Sequence, residues 1–333
     1  MKKAKGILLY SGGLDSLLAA RVLLDQNIEL IGLHFLLPFF PPHDDPDQTK
    51  AALYAERIGL KVEHIRTGSE YMEMLKNPSY GYGKNMNPCV DCKIFFLRYA
   101  AEYMRKHGYD FVATGEVVGQ RPMSQQRNKM NLIEKESSLK DFLLRPLSAK
   151  LLNPIKVERE GLIDRERLLD FSGRGRDRQF ALAREYGIEE YASPAGGCLF
   201  TDVTYSARLK DLLSVHPDYH DIDIYLLSVG RHYRLSSSCK LIVSRNAEET
   251  EILDKYSNKS DMYLISNFRG PSGFIRGKAS EKDLETAYTI LYRHGKPDAD
   301  KINTITVRGN NSEFTVTADK AADDIFLDSV RIA

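Results

Sequence analysis

Gly6-Ile7-Leu8-Leu9-Tyr10-Ser11-Gly12-Gly13-Leu14-Asp15-Ser16 decides the fold. The apolar run from Gly6 to Tyr10 predicts a buried strand, and Ser16 to Asp25, with apolar residues on one face, predicts a helix. Two adjacent glycines, Gly12 and Gly13, let the intervening chain turn tightly and aim several amide N–H groups at one point. The helix that follows adds its positive end, so the loop suits an anion such as pyrophosphate. Ser11 and Ser16 can donate hydroxyl hydrogen bonds, and Asp15 can orient a Mg²⁺ ion or cap the helix. No GxxxxGK[ST] occurs in the chain, so this is not a Walker A loop.

Outward from the loop, short apolar runs alternate with helical patterns. Glu29–Phe35, Lys61–Ile65 and Phe111–Thr114 read as strands, and Thr49–Ile58 and Lys93–Lys106 as helices, the last closing at Gly108. Strand and helix in that rhythm imply a doubly wound parallel α/β sheet covered on both faces. Arg121 to Phe200 reads as irregular, polar and locally basic, with one helix over Asp177 to Tyr186. Beyond Val229, five strand-like runs (241–244, 262–266, 272–275, 304–308 and 314–317) and the helix Glu281–His294 predict a second, smaller α+β domain. The division expected is therefore 1–205, a linker 206–229, and 230–333.

The 333 residues are 42% hydrophobic and 28% charged, with a mean hydropathy of −0.37, the composition of an ordinary soluble protein of about two domains. The longest apolar run, Leu30–Leu37, is broken by His34 and followed by Pro38, well short of the ~20 residues that span a bilayer. Gly6–Tyr10 is too short for a secretory h-region, so a cytoplasmic protein without a membrane partner is expected. Basic and acidic residues nearly cancel, 47 against 46, which removes any global electrostatic argument for nucleic acid.

Four cysteines do not make a disulfide scaffold, and their spacing points to catalysis or metal. Cys89-Val90-Asp91-Cys92 sits at the mouth of a predicted helix, where thiolates are favoured. Cys198 lies in the turn Pro194-Ala195-Gly196-Gly197-Cys198. A CxxC can be half a zinc site, a redox pair or a pair of cluster ligands. Structural zinc needs a fourth ligand, which would have to be Cys239. His34, after the second strand, and the His43-Asp44-Asp45-Pro46-Asp47 loop are further polar candidates. Arg174, Arg176 and Arg178 alternate in a pattern that could grip phosphate along an RNA path.

Ser11–Ser16 resembles the PP-loop of the N-type ATP pyrophosphatases. The resemblance implies ATP with Mg²⁺, cleavage between the α and β phosphates, and adenylation of a carbonyl oxygen. Thr114-Gly115-Glu116-Val117-Val118-Gly119-Gln120, Ser124-Gln125 and Leu144-Arg145-Pro146-Leu147 then resemble, in order, the motifs of the tRNA 4-thiouridine synthetase family. That likeness covers roughly residues 6 to 202. It implies a tRNA sulfurtransferase with ATP at Ser11, Gly12, Gly13, Asp15, Ser16, His34, Gly115 and Gln120. Asp15, Cys89 and Cys198 would be catalytic. The sequence departs from that family in starting its loop at residue 11, with no tRNA-binding modules before it and no evident rhodanese segment.

The cysteine pattern instead resembles the cluster-dependent tRNA thiolases, which implies a [4Fe–4S] cluster on Cys89, Cys92 and Cys198. The rival is a persulfide on Cys198 resolved by one CxxC cysteine, with no cofactor beyond ATP and Mg²⁺; Zn²⁺ stays open as well. The sulfur donor would be sulfide or a persulfide carrier, and a homodimer stays open. Residues 230–333 resemble the NFACT-R domain of ribosome quality-control factors, around Val243–Glu249, Asp261–Leu264 and Gly270–Phe274. Tyr263 stands at that domain's usual tryptophan. The resemblance implies RNA contacts at Arg245, Asn246 and Arg269, with Tyr263 or Phe268 for stacking. Two other readings survive: a PP-loop synthetase that uses an amine, and a non-catalytic RNA-binding quality-control factor.

Overall fold

A computed structural model describes residues 3–42, 44–192, 198–215, 219–309 and 312–332. Its chain divides into two compact units, residues 1–38 with 43–200, and residues 39–42 with 201–333.

The first unit runs β1 (Lys5–Leu9), α1 (Leu14–Leu24), β2 (Glu29–Leu36), α2 (Lys50–Arg57), β3 (Lys61–Arg66), α3 (Ser69–Lys76), α4 (Cys89–His107), β4 (Phe111–Thr114), α5 (Arg127–Glu136), β5 (Leu143–Leu144), α6 (Lys156–Arg159) and α7 (Asp177–Glu185). Its strands form a wholly parallel sheet in the order β3-β2-β1-β4-β5. Alternation along β1 fixes two cores. Leu8 packs with Leu14, Leu18 and Phe111 on the α1 face, whereas Ile7 packs with Ile94, Leu97 and Val112 on the α4 face. The sheet is thus doubly wound, as the rhythm predicts. Strand order reverses at β1, so the loop after β1 opens at the carboxyl edge beside β4, the place where open α/β sheets bind ligands.

Three elements escape the sequence reading of 121–200 as irregular, one of them the single-turn helix α6. Helix α5 buries only Met130 and Ile133, and β5 is two residues long, held by Leu143 and Leu144 pairing with Val112 and Ala113.

The second unit contains α8 (Val203–Val215), α9 (Asp221–Tyr225), β6 (Arg231–Ser236), β7 (Cys239–Val243), α10 (Ala247–Lys255), β8 (Met262–Ser266), β9 (Gly273–Gly277), α11 (Glu281–His294), β10 (Thr304–Gly309), β11 (Glu313–Thr317) and α12 (Asp324–Val330). Its sheet is antiparallel, ordered β11-β10-β8-β9-β7-β6. The expected α+β domain is there, but 206–229 is not an open linker. Leu209, Leu212, Ile222, Ile224, Leu226 and Leu227 are buried, and their burial folds that stretch as α8 and α9 within the second unit. Ion pairs fasten both helices: Arg234 and Lys240 hold Asp211, and Arg276 holds Asp223. Among the described residues, no helix is long and apolar enough to cross a membrane.

Candidate functional site

The loop after β1 is shaped by Gly12, whose φ of +70° lies in the left-handed region, and a Cβ there would come within 2.6 Å of Ala51 Cβ. Gly13 is the N-cap of α1 and supplies no side-chain cap, so the helix start is left to other partners. Ser16 Oγ donates to the Gly13 carbonyl at 2.8 Å and accepts from Ser11 N at 3.4 Å, which closes the turn.

Strand β4 delivers the second wall. A Cβ on Gly115 would stand 2.5 Å from the Asp15 carbonyl oxygen, so only glycine allows this approach of backbone to helix start. Next to it, Glu116 is buried between Arg145 (3.3 Å) and Lys93 (3.5 Å), with Thr114 Oγ1 donating at 3.2 Å. Burial raises a carboxyl pKa, but the two cations and their hydrogen bonds outweigh it and hold Glu116 below its ordinary value. The LRPL arginine is thereby a strut that ties the TGE turn to α5 through Glu134 (2.9 Å).

Asp15, Gln120 and Arg176 converge. Gln120 Nε2 donates to Asp15 Oδ2 at 2.7 Å, and Arg176 reaches the same oxygen at 3.4 Å. Gln179, which sequence reasoning missed, donates to Gln120 Oε1 at 3.1 Å. Asp15 Oδ1 is buried and has no hydrogen-bond partner. Arg176, expected on an RNA path, thus sits at the loop after β1, while Arg178 pairs with Asp170 (2.5 Å) over the Phe171 ring and Arg174 is exposed. His34 meets His64, Nδ1 to Nδ1 at 3.0 Å, and burial followed by the neighbouring His64 lowers its pKa to about 4. His64 in turn faces Asp47 at 3.2 Å; His43 of that loop lies outside the described residues.

Helix α4 begins at Cys89, so both CxxC sulfurs sit in its first turn. Cys89 Sγ donates to the buried Ser124 Oγ at 3.3 Å, and Cys92 Sγ shares a hydrogen bond with the fully buried Tyr71 hydroxyl at 2.8 Å. Burial pushes the Cys92 thiol up to about 12, helped by the charges of Cys198 and Cys89 and opposed by Tyr71 and Lys93. Cys198 is raised by burial and by Cys89, with a backbone hydrogen bond and Arg121 acting the other way. Ala192 pairs with Gly13 in a parallel bridge and donates to the Gly12 carbonyl at 3.1 Å. Cys198 follows six residues later and can stray no more than ~22 Å from that bridge. The expected Pro194–Gly197 turn lies outside the described residues.

Cys89, Cys92 and Cys198 are half-buried soft sulfur donors, two of them hydrogen-bonded to hydroxyls, and have the donor chemistry of an iron–sulfur cluster. Among the described residues, no group of three His, Cys, Asp or Glu side chains is drawn together as a metal site. Cys239 is a fully buried core residue of β7 whose thiol burial pushes up to about 12.

In the second unit, Arg245 is held by Glu249, and Asn246 caps α10 by accepting from Glu249 N at 2.9 Å. Arg269 is exposed. The two stacking candidates are not available on the surface. Tyr263 is 3% exposed, with its hydroxyl on Asp254, and Phe268 is 9% exposed, packed on Tyr292 and Gly295. Their aromatic bulk went into the core because β8 and its following turn face inward.

Comparison with known proteins fits this division. The family described as thiamine biosynthesis protein (ThiI) matches residues 2–155, and the NFACT protein RNA binding domain matches residues 230–327. A tRNA-specific 2-thiouridylase MnmA of Petrotoga mobilis is 32% identical over 133 residues, 34% of this chain and 36% of the relative. The MnmA of Sulfurimonas denitrificans is 25% identical over 238 residues, 68% of this chain and 64% of the relative. The chain thus spans between about a third and two thirds of the length of these curated relatives. Among solved structures, the U34-tRNA thiolase NcsA of Methanococcus maripaludis with its [4Fe-4S] cluster superposes with a TM-score of 0.32 at 19% identity, covering 67% of this chain and 69% of that one. A 4-thiouridine synthetase–RNA complex with bound ATP gives 0.34 at 16% identity, over 57% and 54%. Residues 2–155 are thus similar to the ThiI family, and residues 230–327 to the NFACT RNA-binding domain.

Proposed function

We propose that this chain is a cytoplasmic, ATP-dependent tRNA sulfurtransferase. The PP-loop amides and the start of α1 hold the phosphates of ATP, Asp15 orients Mg²⁺, and Arg176 offsets phosphate charge beside it. A uridine or cytidine carbonyl oxygen attacks the α-phosphorus and pyrophosphate leaves. A sulfur nucleophile then attacks the activated ring carbon, and AMP leaves. The observation that carries this reading is that the chain bridges the loop after β1 at Ala192, six residues before Cys198, in the same unit whose helix α4 starts with Cys89 and Cys92. An amide-forming synthetase has no use for such a trio.

Cys89, Cys92 and Cys198 are the residues that would hold a [4Fe–4S] cluster. Such a cluster supplies an iron without a protein ligand, able to carry sulfide. The thiols Cys89 and Cys92 rest against Ser124 and Tyr71, which can donate to the sulfurs once they ionise. The second reading is a persulfide on Cys198 resolved by one CxxC cysteine, with no cofactor beyond ATP and Mg²⁺. Sulfide would serve the cluster, whereas a persulfide on Cys198 takes its outer sulfur from a persulfide carrier, whose own thiolate leaves as the Cys198 thiolate attacks; the NFACT-type domain adds RNA affinity.

Anaerobic purification, visible absorption, iron analysis and mass spectrometry of tRNA nucleosides test this. A brown protein that each of Cys89→Ala, Cys92→Ala and Cys198→Ala bleaches and inactivates supports the cluster. A colourless protein needing only Cys198 and one CxxC partner supports the persulfide. ATP turnover that survives loss of all three cysteines points to an amine-using synthetase, and RNA affinity without ATP turnover to a non-catalytic factor.

A further inference from the structure

We propose that Gln179 is a positioning residue for the nucleotide site, acting through Gln120 to fix the carboxylate of Asp15. The inference rests on the ATP reading above. A carboxylate only accepts hydrogen bonds, so Gln120 must present its NH₂ to Asp15, as it does at 2.7 Å. Its carbonyl then points the other way, in a side chain only 8% exposed, and needs a donor there. Gln179, 2% exposed, supplies one at 3.1 Å. The two amides form a directional chain: Gln179 sets the orientation of Gln120, and Gln120 sets that of Asp15.

The consequence falls on the free oxygen. With Oδ2 occupied by Gln120 and Arg176, the buried Oδ1 is the atom left for Mg²⁺ or a donor on the nucleotide. Gln179 lies in the first turn of α7, and Gly173 just upstream donates to the Val118 carbonyl at 2.8 Å. The start of α7 is thereby registered against the turn that carries Gln120, which keeps the relay in reach.

The test uses the full chain with Mg²⁺, ATP and tRNA, and reads pyrophosphate release. Gln179→Met keeps the length of the side chain and removes the donor. It should lower kcat about 10- to 100-fold, as expected when a reacting group is misplaced, and leave the KM for ATP within about threefold because the loop amides are untouched. The Mg²⁺ concentration for half-maximal rate should rise with it. Gln179→Glu, which also offers no N–H, should behave alike. Because Gln179 acts only through Gln120, adding Gln179→Met to Gln120→Met should cost less than about twofold more. Wild-type kcat in both Gln179 variants, with or without a lower melting temperature, overturns the relay, as does full additivity with Gln120→Met. Wild-type protein that releases no pyrophosphate under any of these conditions instead overturns the ATP reading, and the relay with it.

Discussion

Arg145 and Glu116 form an ion pair in the interior of the first unit, Nε to Oε2 at 3.3 Å, with side chains 3% and 2% exposed. The pair links two motifs that look unrelated in sequence, TGE and LRPL, and sets the turn that brings Gly115 against the backbone of Asp15 and Ser16. Glu116→Gln leaves a buried guanidinium with Glu134 as its remaining carboxylate. The variant should lose about 3 kcal/mol of stability in urea denaturation, the low end for breaking a buried pair. Replacing both partners, Glu116→Leu with Arg145→Met, should cost less than the two single changes added together. Because the carboxyl pKa of Glu116 is held low in the fold, its contribution is present above the unfolded carboxyl pKa and is lost on acidification.

Gly115→Ala drives a methyl group into the backbone at Asp15 and Ser16, where the nearest atoms would be 2.5 to 2.7 Å away. Backbone cannot rotate aside as a side chain can. Stability should fall by about 1–3 kcal/mol, the usual cost of overpacking, and pyrophosphate release should fall further than stability does. Circular dichroism with a pyrophosphate assay on the same preparation separates the two losses. Asp15→Ala should abolish release with the fold retained.

Asn246 and Arg269 can be separated by what each one touches. Asn246→Ala removes the cap of α10 and should cost about 1 kcal/mol of stability with tRNA affinity little changed. Arg269→Ala, at an exposed position, should leave stability alone, weaken tRNA binding and shrink the salt slope by about 0.7–0.9. A filter-binding series in salt reads the second effect. An unchanged slope removes Arg269 from the interface.

His34 sits in the fold with its pKa lowered to about 4 by burial and by His64. The unfolded chain takes up a proton near the ordinary histidine pKa of about 6.5, so this residue's share of stability is lost as pH falls from there toward 4. His34→Gln cannot be protonated. Its melting temperature should drop less than that of wild type between about pH 7 and pH 4.5. Parallel curves for the two proteins would mean that His34 is not held neutral.

What the sequence discloses depends on how far apart the interacting residues are. Strand β1, its loop and α1 are contiguous, and an apolar run, two glycines and a helical face announce them. Strand β4 reads equally well because all four residues are buried. By contrast β5 is two leucines that become a strand only by pairing with Val112 and Ala113, and α5 shows too few apolar residues for its period to stand out. The stretch 206–229 looks like a joint because its apolar residues follow no single face, yet the sheet of the second unit buries them. The site follows the same rule. Ser11, Gly12, Gly13, Asp15 and Ser16 are legible together, and Gly115 by its motif. The contact of Arg176 with Asp15 spans 161 positions, and arginine spacing alone reads as a phosphate stripe. Tyr263 and Phe268 carry the opposite lesson, since an aromatic ring signals stacking and core alike and burial decides.

Helices α8 and α9 emerge before the strands that hold them. Asp211 waits for Arg234 and Lys240, and Asp223 for Arg276, some 50 residues downstream. During synthesis their apolar faces stay uncovered until β6, β7 and β9 have left the ribosome. The C-terminal half is therefore all-or-none in assembly, and a cleavage or stop near Val229 would strand two sticky helices instead of releasing a trimmed enzyme. The main boundary between the units falls at Phe200–Thr201, two residues past Cys198, so the chain that carries the third cysteine ends where the larger part of the next folding unit begins.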